Sequence, residues 1–301
     1  MLSIKKYAAI DIGSNAVRLL ISNIIEEKGK PVRFKKNSLV RVPIRLGADV
    51  FVKKRISKEN TERIVDTMLA FKLLMKSHKV VKYKACATSA MRESTNGKEV
   101  VEKVLKEAGI SIDVINGEEE AAIIAATDLN KYIDTTKTYL YVDVGGGSTE
   151  FTVFYQGKPV VSKSFKIGTV RLLNDMVKNE TWQELENWIK INTADYHKIN
   201  VIGSGGNINK IFKISGKKMG KPLSYFYMTS YYNTLQTYSY EERITELELN
   251  QDRADVIIPA MRIYLFAMKW SNSKHIYVPK IGLSDGIIKS IYYDTVSSNT
   301  Q

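Results

Sequence analysis

The sequence predicts an α/β protein of two related halves, each opening on a hairpin with a phosphate-sized turn. Three observations predict it. The run from Tyr141 to Phe154 reads as two strands of apolar and β-branched residues around Gly145, Gly146 and Gly147, a tight turn whose backbone can approach a ligand closely. A shift of 132 positions lays Asp11-Ile12-Gly13-Ser14-Asn15 over Asp143-Val144-Gly145-Gly146-Gly147, and each copy continues into an alternating strand. The chain has 301 residues, 44% of them hydrophobic, which suits two domains of about 100–200 residues each.

The chemistry of the hairpins follows from their residue types. Backbone amides in a glycine turn form an anion-binding concavity, and Ser148 and Thr149 add hydroxyl donors, so phosphate is the natural guest. Asp143 and Glu150 repel phosphate directly and make sense with magnesium between, since that ion takes one or two carboxylates and binds phosphate oxygens on its other side. The competing reading is an ordinary glycine turn with solvated acids. Two copies clamping a phosphate chain account for more of the sequence.

Composition narrows the field. Cys86 is the only cysteine and lies in the apolar run Tyr83 to Ala87, which reads as a buried thiol and excludes an internal disulfide. His78, His197 and His275 show no helical pairing, so a zinc site or a Ser-His-Asp triad has nothing to build on. No signal segment or span of about 18 apolar residues occurs, and the expectation is a soluble cytoplasmic protein with no membrane partner. The net charge of +13 comes from lysines that read as dispersed, with Lys35-Lys36, Lys53-Lys54-Arg55 and Lys217-Lys218 as solvated faces. No aromatic-interleaved basic motif suggests DNA or RNA, whereas a positive field would draw in a polyphosphorylated substrate.

Taken in order, strands are expected at about 5–12 and 16–25, with a third after Pro31. Arg18 on the second strand reads equally as a phosphate ligand or a strand-edge charge. Residues 41–52 read as irregular. Ser57 caps a helix whose Ile64, Met68, Phe71 and Met75 form a core stripe. The strand over 83–87 ends in Thr88-Ser89-Ala90-Met91-Arg92, and a strand's carboxyl end is where α/β sheets present ligand residues, which makes Arg92 a candidate clamp. A helix over 97–108 and a strand near 113–115 precede Asn116-Gly117-Glu118-Glu119-Glu120-Ala121. Three acids in a first turn complement the helix dipole, and Glu119 fits a capping box with Asn116, while Glu120 lies about 100° round the helix from its neighbour. That helix is expected to end near 130, with a polar crossing over 131–137 into the second half.

In the second half a third strand spans 159–165, and Gly168-Thr169-Val170-Arg171 enters a helix whose amides, with Arg171, could face a phosphate chain. A helix over 181–194 follows. The turn Gly203-Ser204-Gly205-Gly206 fails as a dinucleotide fingerprint, because Ile208 replaces the third glycine, and no Walker loop occurs. Residues 225–240 are tyrosine-rich, for packing rather than base stacking. Asp252–Trp270 reads as a helix with a late start or a kink at Pro259. A strand over 275–278 and a last helix over 287–293 complete the chain.

These motifs together resemble the exopolyphosphatase/guanosine pentaphosphate phosphatase family, within the actin, sugar-kinase and Hsp70 superfamily. The resemblance rests on both glycine loops, on Ala87 to Arg92, Asn116 to Ala121, Ile167 to Leu172, Gly203 to Gly206, Arg253 to Ile257 and Gly282 to Gly286, in that order. It implies two ribonuclease H-like (actin-like ATPase) domains with a ligand cleft between them, the first over 1–130 plus 284–301 and the second over 131–283. It implies hydrolysis of the terminal phosphoanhydride of inorganic polyphosphate or guanosine pentaphosphate with Mg2+ at Asp143 and Glu150. Glu120 is then the base that activates water, while Arg92, the candidate clamp, orients the reacting group. The phosphates fall to Asp11, Gly13, Ser14, Asn15 and Arg18 in the first domain, and to Gly145, Gly146, Gly147, Ser148, Thr149, Arg171, Gly205 and Arg253 in the second. A homodimer is compatible with this. Long members continue into a helical region related to metal-dependent phosphohydrolases, and because this sequence ends at Gln301, the two-domain core alone is expected. The alternatives are a non-catalytic sensor of the same ligands and a small-molecule kinase of the superfamily.

Overall fold

The computed structural model describes residues 2–125, 127 and 134–298. The expected helix end near 130 and the first part of the crossing, 131–133, lie outside them. The chain divides into two compact units, Met1–Thr127 with Leu283–Gln301, and Asp128–Gly282.

The first unit opens with β1 (Leu2–Ile12), β2 (Val17–Glu27) and β3 (Arg33–Val42), an antiparallel meander. Next come α1 (Leu46–Lys53), α2 (Lys58–Ser77), β4 (Lys82–Ala87), α3 (Ser89–Glu93), α4 (Gly97–Ala108), β5 (Asp113–Val114) and α5 (Gly117–Ala125). β4 and β5 add in parallel, giving the order β3-β2-β1-β4-β5. Ile64, Met68, Phe71 and Met75 are buried along α2 as the stripe predicts, and Ser57 Oγ accepts the Asn60 amide as its cap. Residues 46–52, within the stretch read as irregular, belong to a helix that runs on to Lys53. Gly47, Val50 and Val52 are poor helix formers, and both flanking residues, Arg45 and Lys54, take left-handed backbone, so local signals point away from a helix that burial of Leu46, Val50 and Phe51 holds together.

The second unit runs β6 (Thr138–Val144), β7 (Thr149–Tyr155), β8 (Lys158–Phe165), α6 (Thr169–Leu173), α7 (Asn179–Thr193), β9 (Ile199–Ser204), α8 (Gly206–Ile214), β10 (Leu223–Ser224), α9 (Tyr225–Thr237), α10 (Tyr240–Thr245), α11 (Gln251–Ala254), α12 (Ile257–Trp270) and β11 (His275–Tyr277). α13 (Leu283–Ser298) closes the chain and belongs to the first unit, where it packs on β1, β2, β4 and α5. Helix α12 starts late. Pro259 is its third residue, where no intrahelical donor is needed. The sheet order is β10-β11-β9-β6-β7-β8.

Read from β8, that order repeats the first sheet with one strand added. In each unit the first strand pairs antiparallel with the second and parallel with the fourth in sequence, counted within the unit. Each unit is therefore a ribonuclease H-like α/β domain of the actin-like kind. The duplication reaches single bonds: Gly13 N donates to Ala16 O at 3.1 Å, and Gly145 N, 132 positions on, donates to Ser148 O at 3.0 Å. One face of the second sheet, Leu140, Val142, Val144, Phe151 and Val153, forms a core with Leu185 and Ile189 of α7 and Met261 and Tyr264 of α12. Among the described residues no helix is long and apolar enough to cross a membrane.

Candidate active site

In the first unit the predicted residues gather at the carboxyl ends of β1, β4 and β5, where an α/β sheet presents its ligand groups. The strand ends are stitched together: Thr88 N donates to Ile12 O at 3.1 Å, and Ile115 N to Ala87 O at 3.0 Å. Asp11 is buried on β1 and receives Arg18 Nη1 from the facing position of β2 at 2.7 Å. A Cβ on Gly13 would lie within 4.0 Å of both side chains, so the turn sits against the ion pair. Arg18 thus faces Asp11 from a directly opposed position.

The first loop is anchored from two sides. The buried Ser14 and Ser89 hydroxyls meet at 2.9 Å, which ties the turn to the start of α3. Helix α1, absent from the sequence reading, gives its Gly47 amide to Ser14 O at 2.7 Å, while Arg45 N donates to Asn15 O at 3.0 Å. Arg92, at the other end of α3, donates from Nη1 to Ile115 O at 2.5 Å, beside the start of α5. There the capping box forms as the spacing predicts. Asn116 Oδ1 accepts the amides of Glu118 and Glu119 at 2.9 Å each, and Glu119 Oε2 accepts Asn116 N at 2.8 Å. Glu118 and Glu119 are exposed and Glu120 is buried, at 8% exposure.

Asp11 also faces Cys86 across β1 and β4, and Cys86 faces Asp113 on β5. Burial pushes the Cys86 thiol up to about 12, and Asp113, Asp11 and Glu120 press the same way by charge repulsion. The thiol is neutral and no nucleophile, as its apolar setting predicts. The start of α5 lies at the same end of the sheet as Asp11, because Ile115 N donates to Ala87 O and Thr88 N to Ile12 O.

In the second unit Asp143 and Glu150 are direct cross-strand partners on β6 and β7. Glu150 Oε1 accepts the hydroxyls of Ser148 at 2.7 Å and Ser164 at 2.9 Å. The carbonyls of the glycine turn are held from behind: Thr169 N reaches Gly145 O at 3.0 Å, Val170 N reaches Gly146 O at 2.9 Å, and Arg171 Nε reaches Gly147 O at 2.6 Å. The expectation that the first α6 amides face a phosphate chain therefore gives way, because Thr169 and Val170 commit theirs to the loop. Thr149 is fully buried and its hydroxyl donates to Ile167 O at 2.5 Å.

Gly205, φ +115°, brings the β9–α8 turn against the same place: a Cβ there would lie 2.9 Å from Val144 O and 3.5 Å from Asp143 Oδ1. Arg253 Nη1 donates to Gly206 O, so this arginine also braces the turn. Asp143, Gly145–Ser148, Glu150, Arg171, Gly205 and Arg253 thus cluster at the ends of β6, β7 and β9. Sequence reasoning missed Ser89, Ser164, Gly168 and Tyr264. Tyr264 donates to Ser204 O, and burial, with Asp143 nearby, holds its phenol far above the usual range. A tyrosine inside an apolar helix gives no signal of this, and Ser164 could be found only from the β7–β8 register that sets it opposite Glu150. Among the described residues no group of three or more His, Cys, Asp or Glu side chains could hold a metal ion.

The chain is similar to known proteins over more than half of its length. It is 33% identical over 216 residues to the bifunctional 3-dehydroquinate synthase/phosphatase of Fusobacterium nucleatum, a match covering 66% of the chain and 32% of that protein. It is 26% identical over 175 residues to exopolyphosphatase 1 of Mycobacterium bovis, covering 58% of the chain and 50% of that protein. The chain therefore spans half or less of the length of these curated relatives. Among solved structures, the Ppx/GppA family member of Aquifex aeolicus superposes with a TM-score of 0.74 at 25% identity, covering 97% of the chain and 99% of that structure. The model of the Ppx/GppA phosphatase family matches residues 38–294, and the chain, with paired glycine hairpins on two duplicated actin-like domains, belongs to that family.

Proposed function

We propose that the protein hydrolyses the terminal phosphoanhydride bond of inorganic polyphosphate or guanosine pentaphosphate. The observation that carries this reading is the burial of Glu120 alone among the three glutamates that open α5, near the strand end that holds Asp11. The Glu119 carboxylate closes the capping box with Asn116, and that of Glu118 lies on the exposed side of the helix start. Family membership supports a phosphatase, and the likeness to an exopolyphosphatase supports a phosphoanhydride substrate.

In this reading a water oxygen attacks the terminal phosphorus, one of its protons passes to the Glu120 carboxylate, and the bridging P–O bond breaks. Orthophosphate leaves, and the chain is shorter by one phosphate. Most of the acceleration in such reactions comes from positioning and charge neutralisation, and a positioned base adds roughly 10²–10⁴-fold. Arg92 uses one guanidinium donor on Ile115 O and has others to offer a phosphate oxygen. Backbone amides of the first glycine turn, at the same strand ends, would take further oxygens.

The residues at the second hairpin fit magnesium. Two carboxylates directly opposed across β6 and β7 repel each other, and the ion needs only one or two carboxylates when phosphate completes its shell. Asp143 and Glu150 would hold it, and it would supply neutralisation of the phosphate charge. The test is magnesium-dependent phosphate release from short polyphosphate, long polyphosphate and guanosine pentaphosphate, side by side for wild type and Glu120→Gln. Release from at least one substrate, falling about 10²-fold or more in the variant while binding persists, is expected. Near-normal turnover by Glu120→Gln, or binding by wild type with no release from any substrate, overturns the reading.

A further inference from the structure

The lysines that look dispersed along the sequence are not dispersed in charge balance. From Tyr196 to Tyr240 there are six lysines and no acid, and from Val256 to Ser284 there are Arg262, Lys269, Lys274 and Lys280, again with no acid. These two stretches account for +10 of the net charge of +13. The fold joins them. β10 pairs antiparallel with β11, setting Leu223 against Ile276 and Ser224 against His275, and Tyr225 N donates to Lys274 O at 2.9 Å.

At this junction lies a surface pocket of about 350 Å³ lined by Lys217, Lys218, Lys221, Pro222, Ser224 and His275. Its lysines are brought together by a turn in which Lys221 N donates to Lys218 O at 3.0 Å with Gly220 at φ +84°. That is the geometry of a type II turn, which holds the first and fourth Cα atoms within about 7 Å. Like charges so close repel, and among the described residues Lys217, Lys218 and Lys221 form no ion pair that would offset this. The pocket is also separate from the glycine loop. Ile276 is level with Val201 and Asp143 with Ser204, so His275 lies about four residues, roughly 13 Å, back along the strand direction and two strands to the side.

We propose that this pocket is a second anion site that grips an inorganic phosphate chain away from the end being hydrolysed. Ammonium groups on flexible stems suit a uniform run of phosphates, which offers charge and no fixed pattern of bases. A single-stranded nucleic acid requires aromatic platforms as well, and the pocket lining holds no Phe, Tyr or Trp. The proposal deepens the reading of the protein as a polyphosphate hydrolase and rests on it.

The experiment compares wild type with the triple variant Lys217→Glu, Lys218→Glu, Lys221→Glu and with a control of equal charge, Lys28→Glu, Lys98→Glu, Lys106→Glu, all at exposed positions. Binding of long-chain polyphosphate, tripolyphosphate and single-stranded RNA is measured directly, and hydrolysis separately. The pocket variant should bind long-chain polyphosphate about tenfold or more weakly, while tripolyphosphate binding and the turnover number stay unchanged and the control stays close to wild type. Equal loss in the control, no loss in the pocket variant, or a loss confined to RNA each overturns the proposal. If wild type releases no phosphate from any polyphosphate, the reading as a polyphosphate hydrolase fails on that measurement alone, and selective loss of long-chain binding in the pocket variant still establishes the site.

Discussion

Position 18 of the first hairpin and position 150 of the second are the same place in the internal repeat, and they carry opposite charge. Arg18 neutralises Asp11 across β1 and β2 at 2.7 Å, whereas Glu150 stands opposite Asp143 in the register of β6 and β7. Like charges directly opposed in an antiparallel pair destabilise it by up to about 1 kcal/mol. The repeat has therefore kept the strand pairing while dividing the chemistry, with one hairpin balanced internally and the other carrying two acids. Glu150→Gln keeps an oxygen to accept the Ser148 and Ser164 hydroxyls and removes the repulsion. In the presence of a chelator the variant should be more stable than wild type, by about 0.2–1 kcal/mol in urea unfolding. Added magnesium should raise the wild-type melting temperature and leave the variant unmoved. A variant less stable than wild type without metal would show that the carboxylate is held for its hydrogen bonds.

At the scale of elements, each glycine loop is shaped by a helix start that packs behind it. For the second loop the contact is so close that Gly168 admits no side chain, since a Cβ there would overlap the carbonyl group of Gly146 and the carbonyl carbon of Gly147. Gly168→Ala must push α6 off the loop. Overpacking of this kind costs about 1–3 kcal/mol, and the variant should lose that much stability and release phosphate more slowly. Unchanged unfolding and turnover would mean that α6 does not set the loop. The hairpins themselves were legible in the sequence because glycine, a flanking acid and alternating strands are local signals. So was the cap of α5, where Asn116 and Glu119 sit three residues apart. The supports were not. α1 is built from residues that disfavour helix, and its contact with Ser14 is made by a backbone amide that leaves no mark on residue type. Nor does any local pattern say that the amides of Thr169 and Val170 turn toward carbonyls instead of a ligand. Thr149 likewise reads as a donor in a phosphate loop, yet strand alternation puts it on the core side with Phe151.

The whole molecule is two versions of one domain with different chain topology, and this has a consequence for how each can fold. The second unit is a single continuous segment with its own core on both sides of its sheet, including Tyr141 against Phe154 at 6.2 Å on the face away from α12. The first unit is discontinuous: its sheet and α5 are complete by residue 127, but α13 comes from beyond residue 282. Leu283, Ile287, Ile288 and Ile291 are buried there, and Gly286 lets α13 approach Ile123 of α5 closely. Each such side chain contributes about 1.5–3 kcal/mol when fully buried, so losing α13 removes an amount comparable with the whole stability of a domain. It would also uncover the helix that carries Glu120. A fragment of residues 134–282 should therefore fold alone, with a cooperative urea transition and a near-ultraviolet dichroism signal from its buried aromatics. Residues 1–127 alone should show neither. Adding a peptide of residues 283–298 to residues 1–127 should restore both signals, by supplying the missing layer. Cooperative unfolding of residues 1–127 without the peptide would mean that the three-stranded meander and α2 suffice, and that the unit folds without α13.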